Sequence, residues 1–504
     1  MANIIASCFD ADQLFAVNTL SILANESNES PCMNDLPQAN EPDLIMNVVY
    51  DDIVIGQTAT QTRTLTGEDI RAFAIVSGDV NPAHLDAEYA AHSLFHGVIA
   101  HGMWGGALIS TVLGTQLPGP GTIYLEQDLH FVKPIRIGDT LTISVVVASK
   151  DDVKKHVSLD CLITNQLGAQ VVFGKAHVIA PTERVSRHRT RLPTMAMFNL
   201  GARQEALLMS VRDLAPIRCA VVHPCDAQSL IGALDAAKKG LIIPVLVAPI
   251  SKINSVAKAA NLDIRGIELV DVPHSHAAAE KAVLMAAAGE VEALMKGSLH
   301  TDELMAAVVR CAGLRTKRRL SHVFHLDVPM YHKVLLLTDA VLNIAPSLME
   351  KSDILQNAID LAHALNINEP KVAILSAVET INPQIASTID AAALCKMVQR
   401  KQITGALVDG PLAFDNAISV VAAQIKGIES TVAGHADILM VPDMESGNML
   451  AKQLEYLAGA SSCGVVLGAR VPIALTSRAD NAASRVASAA LAKLLAHQYR
   501  TRTP

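Results

Sequence analysis

Aromatic residues are scarce in this chain. They make up 3% of its 504 residues, with a single tryptophan, whereas half of the residues are hydrophobic. The apolar side chains are therefore mostly aliphatic, as is usual for helices packed on sheets. At this length the chain is expected to form two to four packing units, each with a sizeable core.

Basic residues are also fewer than acidic residues. The formal net charge of -8 argues against non-specific binding to nucleic acid, so no nucleic-acid partner is expected. No run of 18 uncharged apolar residues occurs, and no membrane span is expected. The first residues, MANIIASCFDADQLF, lack a basic start followed by a long apolar core, which argues against a secretory signal.

The cysteines form no recognisable metal or redox motif. There are eight, and the closest pair, Cys219 and Cys225, is not spaced like a zinc or redox site. We therefore expect no metal, free thiols and a cytoplasmic location.

Composition predicts four segments. Residues 1–45 are rich in Asn, Ser, Glu and Pro, which indicates a flexible or loosely docked extension. Residues 46–180 place helices before several β-branched runs, which predicts an α+β unit with an antiparallel sheet around a central helix. Residues 181–212 are predicted to be an exposed linker. In residues 213–504, short apolar strands alternate with helices, which predicts a two-lobed α/β domain with a mostly parallel sheet.

The segment SGDVNPAHLD is the first candidate for chemistry. Because a helical residue before proline is disfavoured, Asn81-Pro82 predicts a turn that can bring Asp79 and His84 together. A carboxylate and an imidazole that share one water suit addition of that water to a double bond. The helix predicted to open at residues 100–103 can supply N–H donors for the enolate charge. The alternative is that the Asp and the His only form the turn.

That segment, with HGVIAHGMWGGAL and LPGPGTIYLEQDLHFVKPIRIGDTLTISVVV, resembles the (R)-specific enoyl-CoA hydratases of the MaoC-like hotdog family over about residues 50–180. The resemblance implies a hotdog fold in which Asp79 and His84 are the catalytic pair. It places Gly102 beside the backbone that binds the oxyanion, and Asn81 in a role that holds the loop. The implied reaction is hydration of trans-2-enoyl-CoA to (R)-3-hydroxyacyl-CoA.

The C-terminal part has neither a Walker A loop nor a GxGxxG fingerprint after its strands. ATP and NAD are therefore unsupported, and no tightly bound cofactor is expected. Gly, Ser and Arg positions follow its strands instead, at the places where open α/β sheets bind ligands. Each position alone is typical of a structural turn.

Several of these segments resemble, in this order, the phosphate acetyl- and butyryltransferase family over about residues 215–500. They include LMKGSLHTDELMAAVV, LRTKRRLSHV, VDGPLAFDNA, ILMVPDMESGNMLAKQLEYLAGA and IALTSRADN. The resemblance implies acyl transfer between coenzyme A and phosphate, with acyl-CoA and phosphate as substrates. Arg478 suits bidentate phosphate binding, and Ser477 can hydrogen-bond the carbonyl oxygen or the leaving thiolate.

Other charged positions are weaker candidates. Arg310 and Arg315 are possible anion ligands, with solvated helix-face charges as the alternative. Acetyl-type members usually carry an Asp seven residues after the motif Ser, and here that position is Ser484. Asp480 is a candidate substitute, or the thiolate needs no protein base. This departure weakens any assignment of acetyl-CoA as the preferred substrate.

Three hypotheses remain open. The favoured one is bifunctional catalysis on acyl-CoA by both halves. In the second, only the phosphate acyltransferase is active and the hotdog domain is an oligomerisation or acyl-CoA-binding module. In the third, the protein is a non-catalytic sensor of acyl-CoA. Both resemblances imply a homo-oligomer.

Overall fold

The computed structural model describes residues 44–190, 192, 198, 200–476 and 480–502. Residue contacts divide the chain into two compact units, Met1–Ala196 and Met197–Pro504. This division lies inside the segment predicted as a linker, residues 181–212. The predicted extension lies outside the described residues except for its last two positions. The exact segment boundaries stay predictions.

The first unit contains seven strands in its described part. Its described strands are β1 (Leu44–Met46), β2 (Thr58–Thr64), β3 (Ile123–Phe131), β4 (Thr140–Asp151), β5 (His156–Thr164), β6 (Gln170–Ile179) and β7 (Ser186–His188). Five of these form an antiparallel sheet in the order β2-β4-β5-β6-β3. The other two, β1 and β7, pair antiparallel with each other. Part of the predicted linker, strand β7, is therefore paired with the first described strand of the unit.

Four helices accompany this sheet in the described part. They are α1 (Gly67–Ser77), α2 (Pro82–Leu85), α3 (Ala87–His92) and α4 (Gly102–Thr115), and a 3-10 turn covers Tyr50–Asp52. A capping box starts α1, because the Thr66 side chain accepts a hydrogen bond from Asp69 N, and the Asp69 carboxylate accepts one from Thr66 N.

Helix α4 packs against β4 in the core of the first unit. Its buried residues include Trp104, Ile109 and Leu113. Burial alternates along β4, as expected where one face of a sheet covers a core. Each fully buried aliphatic side chain contributes roughly 1.5–3 kcal/mol. The predicted hotdog arrangement, an antiparallel sheet around a central helix, is confirmed.

The second unit is built on one large sheet. Its described strands are β8 (Ile217–Val222), β9 (Ile242–Val247), β10 (Glu268–Val270), β11 (Ala293–Lys296), β12 (Ser321–Asp327), β13 (Leu335–Thr338), β14 (Lys371–Leu375), β15 (Leu407–Leu412), β16 (Ile438–Met440), β17 (Ser461–Leu467) and β18 (Ile473–Ala474). The strand order is β10-β9-β8-β11-β18-β17-β12-β13-β16-β14-β15.

Strand direction divides this sheet into two halves. Neighbouring strands are parallel from β10 to β18 and again from β13 to β15. The steps β18-β17, β17-β12 and β12-β13 are antiparallel. The mostly parallel sheet predicted for this part is confirmed. The carboxyl ends of β8, β11 and β18 lie side by side, so the loops that follow them meet at one edge.

Helices connect and cover these strands. In the described part they are α5 (Ala202–Ser210), α6 (Ala227–Lys238), α7 (Ile250–Ala259), α8 (Ser275–Ala287), α9 (Thr301–Arg310), α10 (Leu348–Ala364), α11 (Ala386–Gln399), α12 (Phe414–Ile418), α13 (Val420–Ile425), α14 (Met444–Tyr456) and α15 (Ala482–Thr501), with a 3-10 turn at Ala312–Leu314. The longest, α15, buries one side against α6 and β17.

The cysteines of the described residues are free thiols. They are Cys161, Cys219, Cys225, Cys311, Cys395 and Cys463. Desolvation raises the pKa of the Cys219 thiol to about 12, which keeps it protonated. Among the helices that the structure describes, none has both the length and the apolar character to cross a bilayer.

Candidate functional site

The loop after α1 and the short helix α2 bring Asp79 and His84 side by side. Asp79 is exposed, and its carboxylate accepts a hydrogen bond from the backbone N–H of Asn81 at 3.1 Å. The Asn81 side chain caps α2 by accepting a hydrogen bond from Ala83 N at 3.0 Å. Pro82 is the first residue of α2, where its missing N–H leaves no helical bond unmade. Asn81 therefore holds the loop in two ways. Its backbone N–H bonds to the Asp79 carboxylate, and its side chain bonds to Ala83 N.

The ring of His84 is half-buried and held by the backbone. Its Nδ1 lies 2.9 Å from the carbonyl oxygen of Ile99. Because a carbonyl only accepts hydrogen bonds, the hydrogen of the neutral ring is assigned to Nδ1. Nε2 therefore keeps its lone pair, as a general base requires.

A second histidine, His101, packs against this ring in a tilted arrangement. The two ring centroids are 3.9 Å apart, and Phe73 lies 5.1 Å from His101. His101 is only 2% exposed, and its Nε2 lies 3.0 Å from the backbone oxygen of Asp79. The sequence did not single out this side chain as a site residue, although it lies within residues 100–103, where the central helix was predicted to open.

Gly102 opens α4 next to these groups. The first N–H groups of a helix have no partner within the helix and lie at the positive end of its dipole. A Cβ on Gly102 would lie 3.3 Å from the ring of Phe131 on β3. Glycine therefore lets that ring approach the helix start, where an oxyanion could be bound.

The three polar side chains converge. One ligand atom from each of Asp79, His84 and His101 lies within 4.8 Å of the others. A single water can bridge groups at this separation. The same set could hold a divalent cation, since two imidazoles and a carboxylate are common zinc ligands. The absence of a metal stays a prediction.

Apolar side chains stand beside the helix start. Met103 and Phe131 are large and exposed. Close packing at Gly106 places Leu129 of β3 and the Met103 side chain together, at 3.1 and 3.3 Å from the position of an added Cβ. The polar cluster is therefore flanked by a surface suited to an acyl chain.

In the second unit, Lys296 ends β11, and Gly297 and Ser298 follow it. A Cβ on Gly297 would lie 2.5 Å from the carbonyl oxygen of Val222, so only glycine fits at this approach. The Ser298 hydroxyl donates to the His223 carbonyl at 2.8 Å and accepts from Cys225 N at 3.2 Å. Ser298 thus joins the loops after β8 and β11.

Two buried cationic side chains lie close to Thr476, the residue before the predicted Ser477-Arg478 pair. Lys296 and Arg485 are 3% and 1% exposed. Arg485 donates to the Thr476 hydroxyl at 3.0 Å, and Lys296 Nζ lies 3.5 Å from the Thr476 carbonyl. Burial lowers the pKa of Arg485, and the nearby Asp226 and Asp480 oppose that shift. Sequence reasoning missed both cations, because a single Lys or Arg beside a strand or in a helix is usually exposed.

Ser477 and Arg478 lie outside the described residues, so their roles stay predictions. Asp480 is described and lies close enough to Arg485 to act on it electrostatically. Ser484, at the position where acetyl-type relatives have an Asp, lies in the first turn of α15. Its backbone N–H donates to the Asn481 side chain, the cap of that helix, at 2.9 Å.

The two other arginine candidates differ in surroundings. Arg310 is exposed and lies 3.5 Å from the equally exposed carboxylate of Glu280. Such a pair contributes little, which favours the solvated-face alternative for Arg310. Arg315 donates to the Val309 carbonyl at 2.7 Å and lines a cavity of about 430 Å³. Of the two arginines, the structure therefore places only Arg315 in the lining of this cavity.

Arg315 shares that cavity with two arginines that the sequence analysis did not single out. The lining residues are Met305, Val308, Val309, Leu314, Arg315, Thr316, Arg318, Arg319, Leu320, Leu342, Asn343 and Gly468. Arg318 pairs with Asp360 at 2.5 Å, and Arg319 pairs with Glu350 at 2.9 Å. Two of the three cations of this cavity are already paired with carboxylates, which weakens the cavity as an anion site.

Comparisons with known proteins agree with this division. The family model described as Phosphate acetyl/butaryl transferase matches residues 274–493, and the one described as MaoC like domain matches residues 53–165. The phosphate acetyltransferase of Rhizobium meliloti is 59% identical over 300 residues, which cover 59% of this chain and 95% of that protein. The phosphate butyryltransferase of Clostridium acetobutylicum is 40% identical over 291 residues, which cover 58% of this chain and 97% of that protein.

A solved structure matches the first unit. The R-hydratase PhaJ1 from Pseudomonas aeruginosa, in its unliganded form, is 44% identical and covers 31% of this chain and 99% of its own, with a TM-score of 0.30. The resemblances inferred from the motifs are confirmed by the two family matches. The chain belongs to the phosphate acetyl/butyryltransferase family and carries a MaoC-like hotdog domain in its N-terminal third.

Proposed function

We propose that this chain is a bifunctional acyl-CoA enzyme. Its first unit hydrates trans-2-enoyl-CoA to (R)-3-hydroxyacyl-CoA, and its second unit exchanges acyl groups between coenzyme A and phosphate. The observation that carries the first activity is the convergence of Asp79 and His84 beside the start of α4. The (R) configuration rests on the MaoC-like resemblance.

Hydration needs a base, an anchor for water and donors for the enolate. The Asp79 carboxylate only accepts hydrogen bonds, so it can orient a water whose other hydrogen points to Nε2 of His84. Nε2 takes a proton as the water oxygen bonds to C3, and the electrons of the double bond move through C2 to the thioester oxygen. The N–H groups at Gly102 stabilise that oxyanion. Return of the proton to C2 completes addition of H and OH.

Acyl transfer to phosphate needs cations more than acid–base groups. A phosphate oxygen attacks the thioester carbonyl carbon, the C–S bond breaks, and coenzyme A leaves as a thiolate that takes up a proton. Lys296 and Arg485 place positive charge beside Thr476, the residue before Ser477 and Arg478 in the sequence. That charge offsets the phosphate dianion and the developing oxyanion.

The substrate class follows from the relatives. Two similar proteins are named a phosphate acetyltransferase and a phosphate butyryltransferase, which supports short acyl-CoA thioesters and phosphate as substrates. The free thiols support a cytoplasmic setting, and both family resemblances support a homo-oligomer.

The hydratase assignment is tested by Asp79→Asn. Loss of the carboxylate should lower the rate of crotonyl-CoA hydration by roughly 100-fold, because the attacking water is then no longer held in position between residue 79 and His84. Hydration is followed by the loss of enoyl-thioester absorbance. Phosphate-dependent release of coenzyme A from butyryl-CoA by the same preparation is the control.

Three outcomes would contradict this assignment. An unchanged hydration rate in Asp79→Asn would remove Asp79 from the mechanism. Loss of wild-type activity in EDTA would point to a bound cation at the three side chains instead of a water held by the pair. No hydration by the wild type, with coenzyme A release intact, would favour the hotdog domain as a binding or oligomerisation module.

A further inference from the structure

His101 connects the parts of the hydration site. Its Nε2 lies 3.0 Å from the backbone oxygen of Asp79, its ring lies 3.9 Å from the His84 ring, and the next residue, Gly102, opens α4. Asp79 and His84 are exposed or half-buried, whereas His101 is 2% exposed. The buried ring is therefore the fixed element beside two more accessible groups.

The hydrogen bond fixes what His101 can do. Because the Asp79 carbonyl only accepts, His101 must donate from Nε2. The bond holds the backbone of Asp79 and not its carboxylate, which stays available to a water. The ring meanwhile packs between Phe73 and His84, so it limits the rotation of the His84 ring.

We infer that His101 is a positioning residue for hydration, which sets the distance between the Asp79 carboxylate and the His84 ring through its bond to the Asp79 carbonyl. This inference rests on the proposed hydratase function. His101 acts through Asp79 and His84, and it need not touch the substrate.

The loop gives a reason why this support matters. Asp79 follows the end of α1 and precedes α2, so no helical hydrogen bonds hold it. Without the His101 donor, the Asp79 carbonyl loses its 3.0 Å partner on the buried side. A shift of about 1 Å in a reacting group can lower a rate roughly 100-fold. His101 is buried and is not part of the exposed apolar surface at Met103 and Phe131, so we expect the substrate still to bind.

Two substitutions separate the donor from the ring. His101→Phe keeps a ring between Phe73 and His84 but removes the N–H, whereas His101→Gln places an amide N–H at similar reach. We expect His101→Phe to lower kcat for crotonyl-CoA hydration roughly 100-fold, with KM changed less than about threefold. His101→Gln should stay within roughly tenfold of the wild-type kcat.

The controls keep folding separate from positioning. His92→Phe changes an exposed histidine of the same unit whose ring hydrogen-bonds to the Glu88 carbonyl of its own helix, and it should keep the wild-type kcat. Fluorescence of Trp104, the single tryptophan, reports whether the first unit is folded. If His101→Phe lowers the melting temperature, His101→Gln is compared with His101→Leu, since both lack the ring and only the amide donates.

Each result decides the question. A wild-type kcat in folded His101→Phe, or equal kcat values in the Gln and Leu variants, overturns the positioning role while leaving the hydratase assignment in place. A wild-type protein that does not hydrate crotonyl-CoA overturns both. Low kcat in His101→Phe with recovery in His101→Gln supports the inference, because a merely structural loss would not be restored by a donor alone.

Discussion

Gly174 illustrates how one residue controls the position of a strand. It lies on β6, where an added Cβ would lie 1.9 Å from the backbone oxygen of Asp128 on β3. The sheet register pairs Gly174 with Leu129, whose side chain lies beside Gly106 of α4. A side chain at position 174 must therefore move β3 away from β6 and shift the apolar surface beside the polar cluster.

Gly174→Ala should destabilise the first unit by about 1–3 kcal/mol, as expected for overpacking against backbone. The measurement is thermal unfolding followed by fluorescence of Trp104, which is buried in α4. Gly114→Ala is the matched control, because its added Cβ meets nothing within 4 Å. It should be neutral or stabilising by up to about 1 kcal/mol, since alanine favours helix. Equal melting temperatures for the two variants would contradict the predicted clash.

The candidate site was predictable where it is local. Asp79, Asn81 and His84 lie within six positions and around one proline turn, so the sequence could relate them. His101 contacts Asp79 across 22 positions, and Arg485 contacts Lys296 across 189. A histidine before an apolar helix looks like a core residue in sequence. Its functional contact exists only once the helix is packed against the loop.

At the scale of elements, β12 is the least expected part of the fold. All seven of its residues, SHVFHLD, are buried, although three of them are titratable. Such a composition does not predict a buried strand. The antiparallel centre of the sheet was equally hidden, because β17, SSCGVVL, is a short buried strand like the parallel strands elsewhere in the sheet. The alternation of strands and helices nevertheless predicted the α/β class correctly.

His325 on β12 should make the second unit sensitive to acid. Desolvation lowers the pKa of His325 to about 4, with Arg203 acting in the same direction and Asp327 opposing it. Between about pH 6.5 and 4 the unfolded chain binds a proton that the folded chain does not, so stability falls as pH falls. The free energy of unfolding should therefore be lower by about 3 kcal/mol at pH 4 than above pH 6.5.

His325→Phe should make this dependence shallower, because the variant has no proton to bind at that position. His322, also buried with a lowered pKa, should keep part of the dependence. Differential scanning calorimetry from pH 7 to pH 4 measures how the melting temperature of the second unit depends on pH. The transition of the second unit is the one that Trp104 fluorescence does not follow, because Trp104 lies in the first unit. A variant whose melting temperature falls with pH as steeply as the wild type would contradict the role of His325.

At the scale of the molecule, each unit has a core of its own. One cluster of buried residues lies around α4 in the first unit, and three further clusters lie on the sheet of the second. Each unit therefore has the apolar burial that independent folding requires. A substitution in one site should leave the other activity unchanged.

Arg478→Ala tests this independence and also separates an enzyme from a sensor. Charge-assisted hydrogen bonds from an arginine to phosphate contribute about 1.5–3 kcal/mol, so phosphate-dependent release of coenzyme A from butyryl-CoA should fall at least roughly tenfold. Crotonyl-CoA hydration should persist in Arg478→Ala. In Asp79→Asn the opposite is expected, with hydration lost and coenzyme A release retained. Parallel loss of both activities would mean that the two units depend on each other. Retained coenzyme A binding with no turnover of either substrate in the wild type would instead favour a sensor, because a sensor needs only the thioester contacts and not the phosphate ligand.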